Sequence, residues 1–159
     1  MILYHGSNVE VREPHLLRIH RDLDFGKGFY TTSDWTQAEK WARRTTRQRK
    51  SGSPFVSVYE VDNEALSELL IRRFAEPNIA WLDYVAANRR GIAPAEDYDL
   101  VIGPVADDQT FDTLLFYFAG IFTPEQTIQR LLPQNLKDQY AFKTQKAINL
   151  LHCTEVKRV

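Results

Sequence analysis

Residues 55–61, Phe-Val-Ser-Val-Tyr-Glu-Val, alternate with the period of two that an extended strand converts into two faces. No other stretch constrains the fold as strongly, because a strand of this kind needs a sheet to join. The chain around it supplies the partners. Ile2–Tyr4 reads as a short strand ending at His5 and Gly6, followed by a polar loop to about Asp24. Gly26 and Gly28 flank Lys27 and give backbone freedom to a turn that enters a second strand at Phe29–Thr32. Asp34 with Gln37 predicts a capping box, opening a helix that carries Trp35, Ala38, Trp41, Ala42 and Thr45 along one face until Ser51–Pro54 breaks it.

Beyond residue 61, NEALSELLIRRF (63–74) and NIAWLDYVAANRR (78–90) read as two helices, and YDLVIGPV from Tyr98 as a mostly buried strand. A helix-rich segment follows, in which Thr123, Pro124 and Gln126 spell an N-cap, a first-turn proline and a capping box. The chain closes with a strand at Gln139–Phe142, a short helix over 144–151 and an extended piece from His152. Strands separated by helices at irregular intervals predict an α+β domain and not a regular βαβ winding.

At 159 residues the chain is sized for one domain, residues 1–159, with a single core. A formal charge of −1 gives no general attraction to nucleic acid or acidic membranes, and the basic run Arg43–Gly52 reads as a solvated helix end and loop in preference to a nucleic-acid patch. No apolar run is long enough to span a membrane, and MILYHGS is unlike a signal peptide, which points to a cytoplasmic protein. The lone Cys153 has no partner for a disulfide, and His5, His15, His20 and His152 form no zinc-binding spacing, so no metal is expected.

HRDLDFG (20–26) contains both protein-kinase triplets, but with Asp22 and Asp24 two residues apart on one loop it cannot reproduce convergence from separate hairpins. GKG is not a phosphate-binding P-loop either, since GxxxxGK[ST] is absent. Glu96–Asp99 and Asp107–Asp108 read as turn and helix-cap residues in preference to paired catalytic carboxylates.

LYHGS (3–7), FGKGFYTTSDWTQAEKWA (25–42) and DQYAFKTQKAINLLH (138–152), in this order, resemble the NAD-binding motifs of the ADP-ribosyltransferase superfamily. The pattern especially resembles the His-Tyr-x group that includes the poly-ADP-ribose polymerases, and within it small bacterial DUF3990-type proteins, several encoded beside antitoxin-like genes. The resemblance implies a split, mostly antiparallel sheet with a helical insertion before YDLVIGPV, and NAD as co-substrate. It implies transfer of ADP-ribose to an intracellular acceptor, as a toxin or regulator with a possible antitoxin partner.

The resemblance also implies roles. His5 would hydrogen-bond the adenosine ribose, and Gly6 would offer its backbone to the nicotinamide carboxamide. Tyr30 would pack on the nicotinamide, with Trp41 as the opposite aromatic wall. Ser7, Phe25 and Thr31 belong to the same motifs, and Ala38 stands where relatives carry a serine. Gln139 takes the place of the glutamate that chain-building transferases put at the head of this strand. An amide exchanges hydrogen bonds but takes no proton at neutral pH, so single transfer is expected. Asp138 should face away from the site. Asp22 and Asp24, read as lying on a mobile loop, are the candidates for deprotonating the acceptor, and Asn88 and Arg89 for contacting NAD or a target. The rivals are an NAD glycohydrolase and a non-catalytic NAD or ADP-ribose binder.

Overall fold

A computed structural model describes residues 1–17, 23–92, 97–106 and 110–159 of the chain. The sequence candidates His20, Asp22, Glu96, Asp107 and Asp108 lie outside these described residues. The elements run β1 (Ile2–Ser7), β2 (Phe29–Thr31), α1 (Trp35–Arg49), β3 (Phe55–Glu60), α2 (Asn63–Ser67), β4 (Ile71–Arg73) and α3 (Ile79–Arg89). They continue through β5 (Leu100–Pro104), α4 (Phe111–Phe118), α5 (Pro124–Leu131), a 3₁₀ turn over 132–134, β6 (Asp138–Phe142), α6 (Gln145–Ile148) and β7 (His152–Arg158). Among the described residues no helix is long and apolar enough to cross a membrane.

The architecture is α+β, with two separate sheets ordered β1-β3-β7 and β2-β6-β5-β4. Of the described pairings, β4–β5 is parallel and the others are antiparallel. Among the described residues the sheets meet at one backbone bridge, where Tyr4 and Thr32 exchange hydrogen bonds of 2.8 and 3.0 Å. Beyond that bridge β1 and β2 part. The opening between them becomes the cleft described below.

The alternating segment of β3 sits between β1 and β7, and both its faces are covered. Val56 packs with Ala38 and Ala42 of α1, while Tyr59 joins a cluster with Leu3, Phe29, Leu100, Ile102 and Phe142 between the sheets. The opposite face of the second sheet, through Val101 and Ala141, packs on Trp81, Leu82 and Val85 of α3 and on Leu114 and Leu131. Pairing Val101 with Ala141 and Gly103 with Gln139 places Gln139 on this α3 side. Tyr30 lies opposite Ala141, so it shares that face.

Two local expectations need correction. The Asp34 carboxylate does accept from the Gln37 amide at 2.8 Å, but the Gln37 side chain does not close the box. It donates instead to the Asp138 carbonyl at 3.0 Å, tying α1 to β6. Residues 63–74 are also not one helix. The helix stops at Ser67, and Ile71–Arg73 form β4, pairing in parallel with Leu100–Ile102. Ile71 gains a place against the inter-sheet core, which outweighs its helical surroundings in the sequence. The Thr123–Gln126 capping box is complete, with both reciprocal bonds made.

Candidate functional site

A cleft of about 650 Å³ opens where β1 and β2 diverge. Its wall includes His5, Gly6, Ser7, Tyr30, Trp41 and Gln139 from the sequence motifs, brought together from β1, β2, α1 and β6. Phe25, Thr31 and Ala38 do not line it. Phe25 is fully buried against Phe74 and Tyr84, Thr31 is fully buried in β2, and Ala38 is sealed between α1 and β3.

His5 occupies the point where the parting strands leave a carbonyl without a backbone partner. Its Nδ1 lies 2.7 Å from the Tyr30 carbonyl oxygen and its ring lies against Phe29, centroids 4.3 Å apart and planes tilted by 30°. A carbonyl only accepts, so Nδ1 carries the proton. Burial pulls the imidazole down to about 4, against the raising effect of the Tyr30 bond and with a further lowering from Arg49. The ring is therefore neutral at pH 7, and Nε2 is left as a hydrogen-bond acceptor with no partner among the described residues.

Gly6, which lines the cleft, is also required by the packing behind it. A Cβ there would sit 1.9 Å from the Ala38 carbonyl oxygen and 2.7 Å from the Ala42 nitrogen. The bare backbone lets α1 press onto β1, and this brings Trp41 to the cleft. The outer part of the same helix contributes Arg44, Thr45, Gln48 and Arg49 to the wall. The spacing 41, 44, 45, 48, 49 is one helical face, a signal present in the sequence and hidden by reading the basic run as a solvated end. Arg49 donates to Asn8 Oδ1 at 2.8 Å.

The turn before β2 is clamped. Gly26 adopts φ +73°, and its left-handed backbone is closed by the Gly26 N–H to the Leu23 carbonyl at 2.9 Å. The Tyr30 hydroxyl donates to the Gly26 carbonyl at 2.6 Å and accepts from the Phe25 N–H at 3.1 Å. The Lys143 ammonium donates to the Phe25 and Lys27 carbonyls. Burial, reinforced by the charge of Asp24, pushes the Tyr30 phenol well above its ordinary range, so Tyr30 stays protonated at neutral pH.

Asp24 is not on an exposed loop. It is 7% exposed, and its Oδ1 accepts from Arg89 Nε at 2.7 Å and Nη2 at 2.6 Å. Oδ2 accepts from the Ala106 N–H at 3.1 Å and from Gln139 Nε2 at 3.3 Å. A carboxylate so fully engaged is a poor base for an acceptor. Asn88 turns away from the cleft, its amide donating to the Tyr84 carbonyl at 2.9 Å. Gln139 is 3% exposed, and its Nε2 also reaches the Pro104 carbonyl at 3.4 Å. Asp138 points the other way, accepting from Thr32 and Ser33. Asp99 serves the turns, accepting from the Leu70 N–H and the Thr144 hydroxyl.

Among the described residues, no group of three or more His, Cys, Asp or Glu is arranged to hold a metal ion. Two residues that line the cleft hold acceptors without donors among the described residues, His5 Nε2 and Gln139 Oε1, and the lining also carries Arg12, Lys27, Arg44, Arg49 and Arg89 alongside Glu10, Glu13 and Asp24. Its volume falls within the roughly 300–1,000 Å³ of small-molecule sites. Residues 1–153 match a family model described as a protein of unknown function (DUF3990). No curated protein and no solved structure matches the chain.

Proposed function

The chain belongs to the DUF3990 family of proteins of unknown function, and from the chemistry of its cleft we propose that it is a mono-ADP-ribosyltransferase using NAD as co-substrate. The observation that carries this reading is the pair of unpartnered acceptors, His5 Nε2 and Gln139 Oε1, in a cleft whose lining has five cationic side chains, Arg12, Lys27, Arg44, Arg49 and Arg89, against three acidic ones, Glu10, Glu13 and Asp24. Such a cleft suits a ligand that brings hydroxyl donors to the acceptors and negative charge to the basic side chains. The ribose hydroxyls and pyrophosphate of a dinucleotide answer both demands. Tyr30 and Trp41 add aromatic surface for the nicotinamide ring.

In the proposed reaction the bond between ribose C1′ and the nicotinamide nitrogen breaks, and the electron pair leaves with nicotinamide. The acceptor forms a bond to C1′ and gives up a proton. The developing positive charge on the ribose is stabilised by oriented oxygen acceptors, of which Gln139 Oε1 is one. The Gln139 amide takes no proton, which favours one transfer to an acceptor that is already nucleophilic over chain growth. In the same reading the protein acts inside a cell, as a toxin with an antitoxin partner or as a regulator.

A second reading has its own support. Because the Gln139 amide is neutral and already bonded to Asp24 and Pro104, the same cleft suits a protein that binds NAD or ADP-ribose without turnover. One assay separates the two, with NAD labelled in the ADP-ribose portion and a cell lysate. Transfer moves label to macromolecules and releases nicotinamide, and His5→Ala or Gln139→Ala lowers both at least tenfold. Free ADP-ribose alone assigns an NAD glycohydrolase. A rise in melting temperature with NAD but no nicotinamide release assigns the binder. Neither release nor a melting shift sinks the proposal.

A further inference from the structure

The orientation of a glutamine amide is usually open, because its oxygen and nitrogen have similar shapes. At Gln139 it is not. Both groups facing one end of the amide, Asp24 Oδ2 and the Pro104 carbonyl, can only accept hydrogen bonds. The NH₂ must therefore point at them, and the carbonyl oxygen is the end left over. That oxygen belongs to a residue that is 3% exposed and lines the cleft, and it has no partner among the described residues.

Asp24 is itself held against rotation. Arg89 takes one of its oxygens through two nitrogens, at 2.6 and 2.7 Å, and the Ala106 N–H fixes the other at 3.1 Å. The remaining lone pairs of that second oxygen face Gln139. The chain of contacts thus runs from α3 through the loop before β2 to the head of β6.

We propose that Asp24, anchored by Arg89, is a positioning residue that locks the Gln139 amide so that its oxygen is presented to the cleft, making position 139 a fixed neutral hydrogen-bond acceptor for a ligand hydroxyl. The inference deepens the dinucleotide reading in naming the ligand group, but the Asp24–Gln139 coupling stands independently of it. The carboxylate and the amide act as a matched unit. A carboxylate at position 139 would lie against that of Asp24, and two like charges at that distance cannot both be ionised without a large cost. The glutamine is in this sense dictated by Asp24. The described charged and titratable groups around the pair are Arg89 and Tyr84 on α3 and Tyr30 on β2. Of these, Arg89 is the cation, and Asp24 already occupies it.

The test is a cycle of Asp24→Asn, Gln139→Glu and the double variant in the full chain, melted between pH 5 and pH 8 with and without NAD. Gln139→Glu alone is expected to melt roughly 5–10 °C below the parent at pH 8 and to regain most of that by pH 5, as the two carboxyls come to share a proton. Asp24→Asn/Gln139→Glu exchanges amide and carboxylate, and is expected to recover more than half of the loss at pH 8. The Gln139 side-chain NH₂ resonances provide a reading that does not need a mutated position 139. They should be sharp and protected from solvent exchange in the parent, and broadened or exchanging in Asp24→Asn. NAD affinity should fall about tenfold in Asp24→Asn, equivalent to about 1.4 kcal/mol.

Gln139→Glu melting like the parent at every pH would overturn the proposal, as would Gln139 resonances unchanged in Asp24→Asn. A parent that ignores NAD would overturn the dinucleotide reading instead. The ligand-free melting cycle and the resonances would still decide the coupling.

Discussion

The two walls of the cleft are fixed in place by different forces. On the α1 side, contact is steric: β1 and α1 approach so closely that a single methyl on Gly6 would overlap the Ala38 carbonyl. On the α3 side, contact is electrostatic: a carboxylate, a guanidinium, an amide and a backbone N–H meet around Asp24. The steric wall carries Trp41 and the cations of α1, while the polar wall carries Gln139. A wall built from packing is indifferent to pH and salt. A wall built from a buried ion pair holds its geometry only while every partner stays in place.

The largest effect should come from Gly6→Ala, which forces two backbones apart and is expected to cost upwards of about 3 kcal/mol or prevent folding. Denaturant unfolding that left Gly6→Ala within about 1 kcal/mol of the parent would show the steric wall to be looser than described. Next is Arg89→Ala, which strands Asp24 as a buried carboxylate. A loss of about 3 kcal/mol at pH 7 is expected in denaturant unfolding. A loss under about 1 kcal/mol would show that the ion pair does not hold the polar wall and would break the contrast between the walls.

His5 sits where the walls join, and its titration gives a third measurement. Its folded value, about 4, is depressed below the ordinary 6.5. Its contribution is therefore intact above pH 6.5 and is lost as pH falls from there towards 4, by about 3 kcal/mol in all. Comparing unfolding free energies of the parent and His5→Gln at pH 7, 5.5 and 4 isolates this step from other titrating groups. The smallest effect belongs to Lys137→Ala, which removes the exposed 3.0 Å ion pair to Asp34 at the start of α1. A change of about 0.5 kcal/mol or less is expected in thermal melts, as the α1 wall draws little from charge.

Much of this arrangement is legible along the chain where the signal is local. The Asp34 cap, the Thr123–Gln126 box and the extended runs of β3, β5 and β6 need only neighbouring residues to be recognised. β4 is not legible in this way. Leu70–Phe74 looks like the end of a helix until the exposed edge of β5, which lies nearly thirty residues later, offers it hydrogen bonds. Asp24 misleads for a similar reason: in sequence it belongs to a polar loop, and only Arg89 on α3 makes its burial tolerable. The roles of Phe25, Thr31 and Ala38 follow the same rule. They belong to the motif segments that build the cleft, yet each faces the core behind it.

The sequence by itself determined most of the helical and extended segments, β4 excepted, where helices begin and which three stretches bring His5, Tyr30, Trp41 and Gln139 to the cleft, because those properties are written within a few residues of one another. Tertiary structure alone decided that β1 and β2 part after the Tyr4–Thr32 bridge, that α1 presses onto Gly6, and that the Gln139 NH₂ turns to Asp24 and the Pro104 carbonyl. Each of those outcomes depends on which donor, acceptor or backbone atom arrives from a distant part of the chain, and hydrogen-bond direction and close contact exist only once both partners are in place.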